Sequence, residues 1–115
     1  MFIIFIIKKY YENTTIKLTR GDTAFLTIPL KKNLYDAYEL AAEDILRFTV
    51  KKKATNTAPL FQKELVGANV FHIAPADTAA LDFGKYVYDV ELTTAGGDVY
   101  TPILGEFHVM EEVTW

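Results

Sequence analysis

Two histidines and a short acidic stretch are the residues of this chain whose types and spacing could do chemistry. His72 stands in the run Val70-Phe71-His72-Ile73, and His108 stands between Phe107 and Val109. On alternating strands both fall on the polar, outward face. A catalytic or structural zinc centre needs three or four donors converging on one point, and neither imidazole has a carboxylate at ligand spacing. Both are read as surface residues. Asp36, Glu39, Glu43 and Asp44 lie between two strand patterns. A calcium loop draws its ligands from alternating positions around a glycine at the sharp turn; neither feature is present, so the stretch is read as a solvated loop. Loose carboxylates do not make a glycosidase either, because that chemistry holds two of them at a fixed separation across a cleft. The chain contains no cysteine and no serine, which removes the commonest nucleophiles together with disulfides and thiolate metal sites. The expectation is a protein with no catalytic residue, no metal and no cofactor, and therefore not an enzyme.

Charge narrows the partners. Twelve basic residues against fifteen acidic ones leave a formal net charge of −3, and the pI is near 5.3. No global positive field draws the chain to nucleic acid. Lys51-Lys52-Lys53 is a basic run at a hairpin end, without the interleaved aromatics of a single-strand binding groove. Arg20-Gly21-Asp22 spells an adhesion tripeptide, but Gly-Asp also makes an ordinary turn between strands. No glycine-rich phosphate loop is present.

The elements that would carry these residues are strands. In 115 residues, half of them hydrophobic and 14% aromatic, there is material for one packed core. Period-2 alternation dominates. Thr14 to Thr19 alternates around Ile16 and Leu18; Thr23 to Leu30 places Ala24, Leu26, Ile28 and Leu30 on one face, with Pro29 marking an edge or an exit. A loop or single helical turn is expected near Tyr38 to Ala42. Ile45 to Lys51 points Leu46, Phe48 and Val50 inward. Leu60 to Leu65 and Asn69 to Ala74 are shorter strands around Gly67, and Pro75 to Leu81 is a brief helical crossover. Phe83 to Thr94 is the longest strand. Ala95-Gly96-Gly97-Asp98 is a hairpin turn, followed by Val99 to Ile103 and Gly105 to Glu112, with Pro102 marking a bulge or an edge. About seven or eight short strands with turns every 8–12 residues describe an all-β sandwich.

The stretch LDFGKYVYDVEL (81–92) makes the class more specific. In immunoglobulin-like sandwiches a tyrosine near the start of one strand bonds back to the preceding backbone, two residues before a core position that holds a cysteine in antibody domains. Here Asp82, Gly84, Tyr86 and Tyr88 form the candidate corner. Tyr86 supplies the tether and Tyr88 takes the cysteine's place as a large buried ring. Gly84 suits a tight approach, and Asp82 can bond local amides in the turn. The fold expected over 14–115 is an immunoglobulin-like β-sandwich.

Residues 1–13, MFIIFIIKKYYEN, form an apolar extension. Seven apolar residues are too few for a bilayer span, which takes about 20. Lys8 and Lys9 follow the apolar run, where a signal peptide has its charges in front. Neither a membrane partner nor a signal peptide is expected. Three readings stay open: an extra strand, a tail that binds a partner or a second copy, or residues upstream of the natural start. Left bare, such a segment invites edge-to-edge association. Phe2, Ile4, Ile6, Tyr10 and Tyr11 are the candidate interaction surface, and a homo-oligomer formed through this strand is one outcome.

Three stretches, LTRGDTAFLTIPL (18–30), DILRFTVKKKATNTAPLFQKEL (44–65) and LDFGKYVYDVELTTAGGDVYT (81–101), together resemble small proteins encoded near tail and baseplate genes in tailed phages and prophages of Firmicutes. They also resemble the N-terminal immunoglobulin-like domain of siphophage upper baseplate proteins. The likeness runs over roughly residues 15 to 112; the extension before it departs from the family pattern, and the receptor-binding portion of the longer proteins has no counterpart. What the resemblance implies is a non-enzymatic structural or adaptor protein of a tail or baseplate, acting through protein–protein contacts with other tail proteins. Its place would be the virion, or the host cytoplasm during assembly. The alternative is a carbohydrate-binding sandwich, with Tyr10, Tyr11, Tyr35, Tyr38 and Tyr100 as stacking residues.

Overall fold

Alternation of apolar and polar side chains builds nearly every element. The computed structural model describes residues 15–28, 30, 38–53, 55 and 58–111. Among these described residues, seven strands and one short helix follow in chain order: β1 (Ile16–Thr19), β2 (Ala24–Thr27), β3 (Ile45–Lys51), β4 (Phe61–Val66), β5 (Val70–Ile73), α1 (Pro75–Ala79), β6 (Gly84–Thr93) and β7 (Val99–Met110). Five strands form one sheet in the order β1-β7-β6-β3-β4, and β2 pairs with β5 in a second. β1 runs parallel to β7, and the other pairings are antiparallel. The fold is an all-β sandwich. The extension over residues 1–13, including Phe2, Ile4, Ile6, Tyr10 and Tyr11, lies outside the described residues.

The inward faces are those the alternation predicts. Leu46, Phe48 and Val50 from β3, Tyr86, Tyr88, Val90 and Leu92 from β6, and Phe107 and Val109 from β7 meet Phe71 and Ile73 of β5, with Ile28 and Leu30 beyond the end of β2. Phe48 sits at the centre. Its ring lies 5.4 Å from Tyr88, 5.6 Å from Phe71 across the sandwich, 6.1 Å from Phe61 and 6.3 Å from Phe107. Tilted and edge-on contacts of this kind add to what burial alone contributes.

Of the two readings the sequence offers near Tyr38 to Ala42, the structure shows the loop, with a tight turn closed where the Asp44 amide donates to the Ala41 carbonyl. One expectation about the connections is corrected. The two strands expected over Val99–Ile103 and Gly105–Glu112 are one continuous β7. Its register against β6 slips: Val90 faces Ile103, whereas Leu92 faces Tyr100, so β7 holds one extra residue in the stretch containing Pro102. The slip has a physical reason. Tyr100 and Phe107 both pack toward the core, yet their positions differ by an odd number, and a regular strand would put them on opposite faces. A bulge resets the phase. The alternation therefore breaks in the sequence although the strand does not.

The turns use glycine where the backbone requires it. Gly97 takes φ 93° in the β6–β7 hairpin, closed by a bond from its amide to the Thr94 carbonyl. Gly67, at φ 67°, joins β4 to β5, and a β-carbon there would sit 2.8 Å from the Ala42 carbonyl oxygen.

The corner forms. The Tyr86 hydroxyl donates to the Asp82 main-chain carbonyl at 2.6 Å, while the ring is buried beside the core. Burial, with the nearby Asp82 carboxylate, holds the Tyr86 phenol above its ordinary value of 10.0, so it stays a donor. Tyr88 is buried against Phe48, and burial pushes its phenol up to about 12. Two roles differ from expectation. Asp82 acts at the corner through its carbonyl, and Gly84 has open space around its missing β-carbon; what its position requires is φ 143°. Replacing Tyr86 by Phe keeps the ring and deletes the tether, so unfolding free energy should fall by roughly 1 kcal/mol. The measurement is a lower urea midpoint at unchanged m value; an unshifted midpoint would show that the bond contributes nothing.

Candidate functional site

The acidic stretch is not all solvated, as the sequence suggests it should be. Asp44 is 1% exposed. One of its carboxylate oxygens accepts from the Tyr38 hydroxyl at 2.6 Å and from the Ala41 amide at 2.9 Å, and the other accepts from the Ala95 amide at 3.1 Å. The carboxylate thus ties the loop before β3 to the β6–β7 turn, 51 residues further on. Burial pushes its pKa upward, but the bonds from Tyr38, Ala41 and Ala95 favour the ionised form and leave it below its ordinary 3.8. Burial and the bond to Asp44 push Tyr38 up to about 12. The arrangement is an internal clamp in which both carboxylate oxygens accept from donors of the chain itself. An aspartate at the end of an acidic stretch, just before an apolar strand, is the trace it leaves in the sequence.

The histidines stand apart. His72 is exposed on β5 and stacks on Phe25 of β2, centroids 4.9 Å apart. His108 on β7 is half-buried and contacts the Glu106 carboxylate at 2.9 Å. Among the described residues no group of three or more His, Asp or Glu is placed to hold a metal ion, and no helix is long and apolar enough to cross a membrane. Arg20-Gly21-Asp22 makes a turn, as read, with Gly21 at φ 82°. That turn is docked: the Arg20 guanidinium lies 4.2 Å over the Phe83 ring, and the Gly21 amide donates to the Thr78 hydroxyl at 2.8 Å. Its arginine packs onto the corner instead of projecting as a recognition arm. Lys52 and Lys53 are exposed at the end of β3. Of the aromatic candidates for sugar stacking, Tyr38 and Tyr100 both pack partly buried against the core, while Tyr10, Tyr11 and Tyr35 lie outside the described residues.

What the sequence did not single out is the outer face of the larger sheet. Register sets its side chains in rows across the strands. Glu64, Arg47 and Glu91 form one row, with Arg47 bonded to Glu64 at 2.7 Å and 3.6 Å from Glu91. Exposed pairs of this kind contribute little to stability. Beside it, Val66, Ile45, Thr93 and Val99 form a second row. On the other side Gln62, Thr49, Asp89 and Leu104 form a third. Val66 is 62% exposed, Val99 58% and Leu104 60%. Leu104 reaches this face only because the β7 bulge shifts the alternation by one. The face sets exposed apolar side chains on either side of a charged ladder.

No protein-family model matches the chain, and no curated protein is similar enough in sequence to stand as a relative.

The Asp44 clamp predicts an acid-sensitive link. A carboxylate whose folded pKa is depressed contributes stability that is present above its unfolded value of 3.8 and lost as pH falls through the lower folded value. Asp44→Asn must turn its amide nitrogen toward one of the donors, at a cost of about 1–3 kcal/mol at neutral pH. Urea unfolding of both proteins should show that gap at pH 7 and a smaller gap well below pH 3.8. A gap independent of pH would separate the clamp from the charge of Asp44.

Proposed function

We propose that this chain is a non-enzymatic structural adaptor of a phage or prophage tail or baseplate, and that it works by protein–protein contact. The observation that carries the contact reading is the outer face of the five-stranded sheet, where Val66, Val99 and Leu104 are all more than half exposed. Exposed apolar side chains on one sheet face mark an interaction surface better than the same residues scattered singly. The Arg47 ladder between them supplies register and specificity more than affinity.

The tail assignment rests on the resemblance of residues 18–30, 44–65 and 81–101 to tail-region proteins. The immunoglobulin-like character of that family is supported by two features. One is the Tyr86 tether at the crossover into β6. The other is strand order: the third, sixth and seventh strands share a sheet, and the second and fifth lie opposite, the division of immunoglobulin sandwiches. β1 is added at the edge of the larger sheet, beside the last strand.

Mass spectrometry of particles purified from an induced host that carries the gene tests the assignment. The wild-type chain is expected in the particles, and its absence from them sinks the tail reading. A Val66→Asp/Val99→Asp/Leu104→Asp variant, shown by circular dichroism to keep its fold, should be lost from the particles. Undiminished incorporation of that variant would move the contact to another surface.

A further inference from the structure

The outer face of the larger sheet carries a symmetry in its side chains. The line between β3 and β6 divides the four strands β4-β3-β6-β7 into two pairs. In one row, register sets Val66 and Ile45 on one side of that line, level with Thr93 and Val99 on the other. Val66 and Val99 hold the matching outer positions of that row, 62% and 58% exposed. In the next row Arg47 and Glu91 flank the line directly and are opposite in charge. One row further, Gln62 and Leu104 hold the matching outer positions, and neither is charged. Exchanging the two sides of the line therefore sets apolar on apolar and cation on anion, and in none of these rows does it set like charges together.

The charged row is also unbalanced. The Arg47 Nε and Nη2 groups donate to the Glu64 carboxylate at 3.1 Å and 2.7 Å. Its Nη1 stops 3.6 Å from Glu91, beyond hydrogen-bond reach. Within the ladder two carboxylates thus share one guanidinium, and the fork is spent on Glu64. A cation arriving over the sheet at Glu91 would complete the row. The group whose position mirrors Glu91 across the line is an arginine, Arg47 itself, so the chain supplies the complement of its own face.

We propose that this face binds a second copy of the chain about a two-fold axis lying along the line between β3 and β6. A two-fold contact uses one patch twice and has to be complementary to itself, which is the property the rows show. The axis sets Arg47 of each copy against Glu91 of the other, so that four charges of alternating sign close a ring. Val66 of each copy meets Val99 of the other, and Ile45 meets Thr93. Sheets packed face to face stay within about 30° of alignment, which keeps the rows nearest the centre opposite their mates. Drawn out of water, the ring's charges interact more strongly than in the exposed ladder, and any shifted register sets like charges together. Four strands make a small interface, so the dimer is weak, with a dissociation constant in the micromolar range. The inference rests on the contact reading of this face and names its partner as the chain itself.

Sedimentation equilibrium of the full chain over roughly 1–300 µM, a range that brackets a micromolar constant, tests it, with circular dichroism to show that each variant is folded. The wild type should pass from monomer to dimer across that range. Arg47→Glu sets a like charge against Glu91 of the second copy, and Glu91→Arg does the same to Arg47; each should weaken dimerisation by about tenfold or more. The double variant Arg47→Glu/Glu91→Arg restores opposite charges across the axis and should return the constant to within about threefold of the wild type. Val66→Asp, at the exposed outer position, should weaken the dimer as well and reads the same contact if a charge reversal fails to fold. A wild type that stays monomeric overturns the proposal, and so does a dimer that the reversals leave intact or the double variant fails to restore. A monomeric wild type whose Val66→Asp/Val99→Asp/Leu104→Asp variant is nevertheless lost from particles would overturn the second copy as partner and leave the contact reading standing.

Discussion

Phe48 is where the two sheets become one body. Its ring touches Tyr88 within its own sheet and Phe71 across the gap, and Phe61 and Phe107 close around it. Each of these contacts depends on a strand register. Val90 and Lys63 stand opposite Phe48 on the two neighbouring strands, and a slip of one residue would turn every ring to the solvent side. The bulge in β7, the corner at Tyr86 and the clamp at Asp44 all serve that registration. The bulge keeps Phe107 inward after Tyr100, the corner fixes where β6 begins, and the clamp fixes where β3 begins and β6 ends.

The same constraint shapes the exterior. Among the described residues five strands face two, and Ile16 and Leu18 on one side of the larger sheet and Phe61 and Leu65 on the other are only partly buried. One flank is closed by an ion pair, Lys63 with Asp77.

Much of the fold was legible because a period of two leaves a strong mark. Leu46, Phe48 and Val50, or Tyr86, Tyr88, Val90 and Leu92, announce their inward face without help. Asp82, Gly84 and Tyr86 announced the corner because its spacing is local. The outer-face residues were illegible for the opposite reason. Val66 and Val99 look like any apolar strand residue until the pairing of β4, β3, β6 and β7 shows that they end on the solvent side of one sheet. Leu104 is displaced by a bulge whose only sequence trace is a proline and a broken alternation. Asp44 reads as part of a soluble acidic loop until Ala95 is brought beside it.

By itself, then, the chain's alternation determined strands, turns, the inward faces and the tyrosine corner, because each depends on neighbours within a few residues. Tertiary structure alone decided which strands share a sheet, where Asp44 is satisfied, and which side chains end on the outer face of the larger sheet. Those outcomes depend on pairings between segments far apart in the chain, and several registers satisfy the same local pattern until burial of Phe48 selects among them.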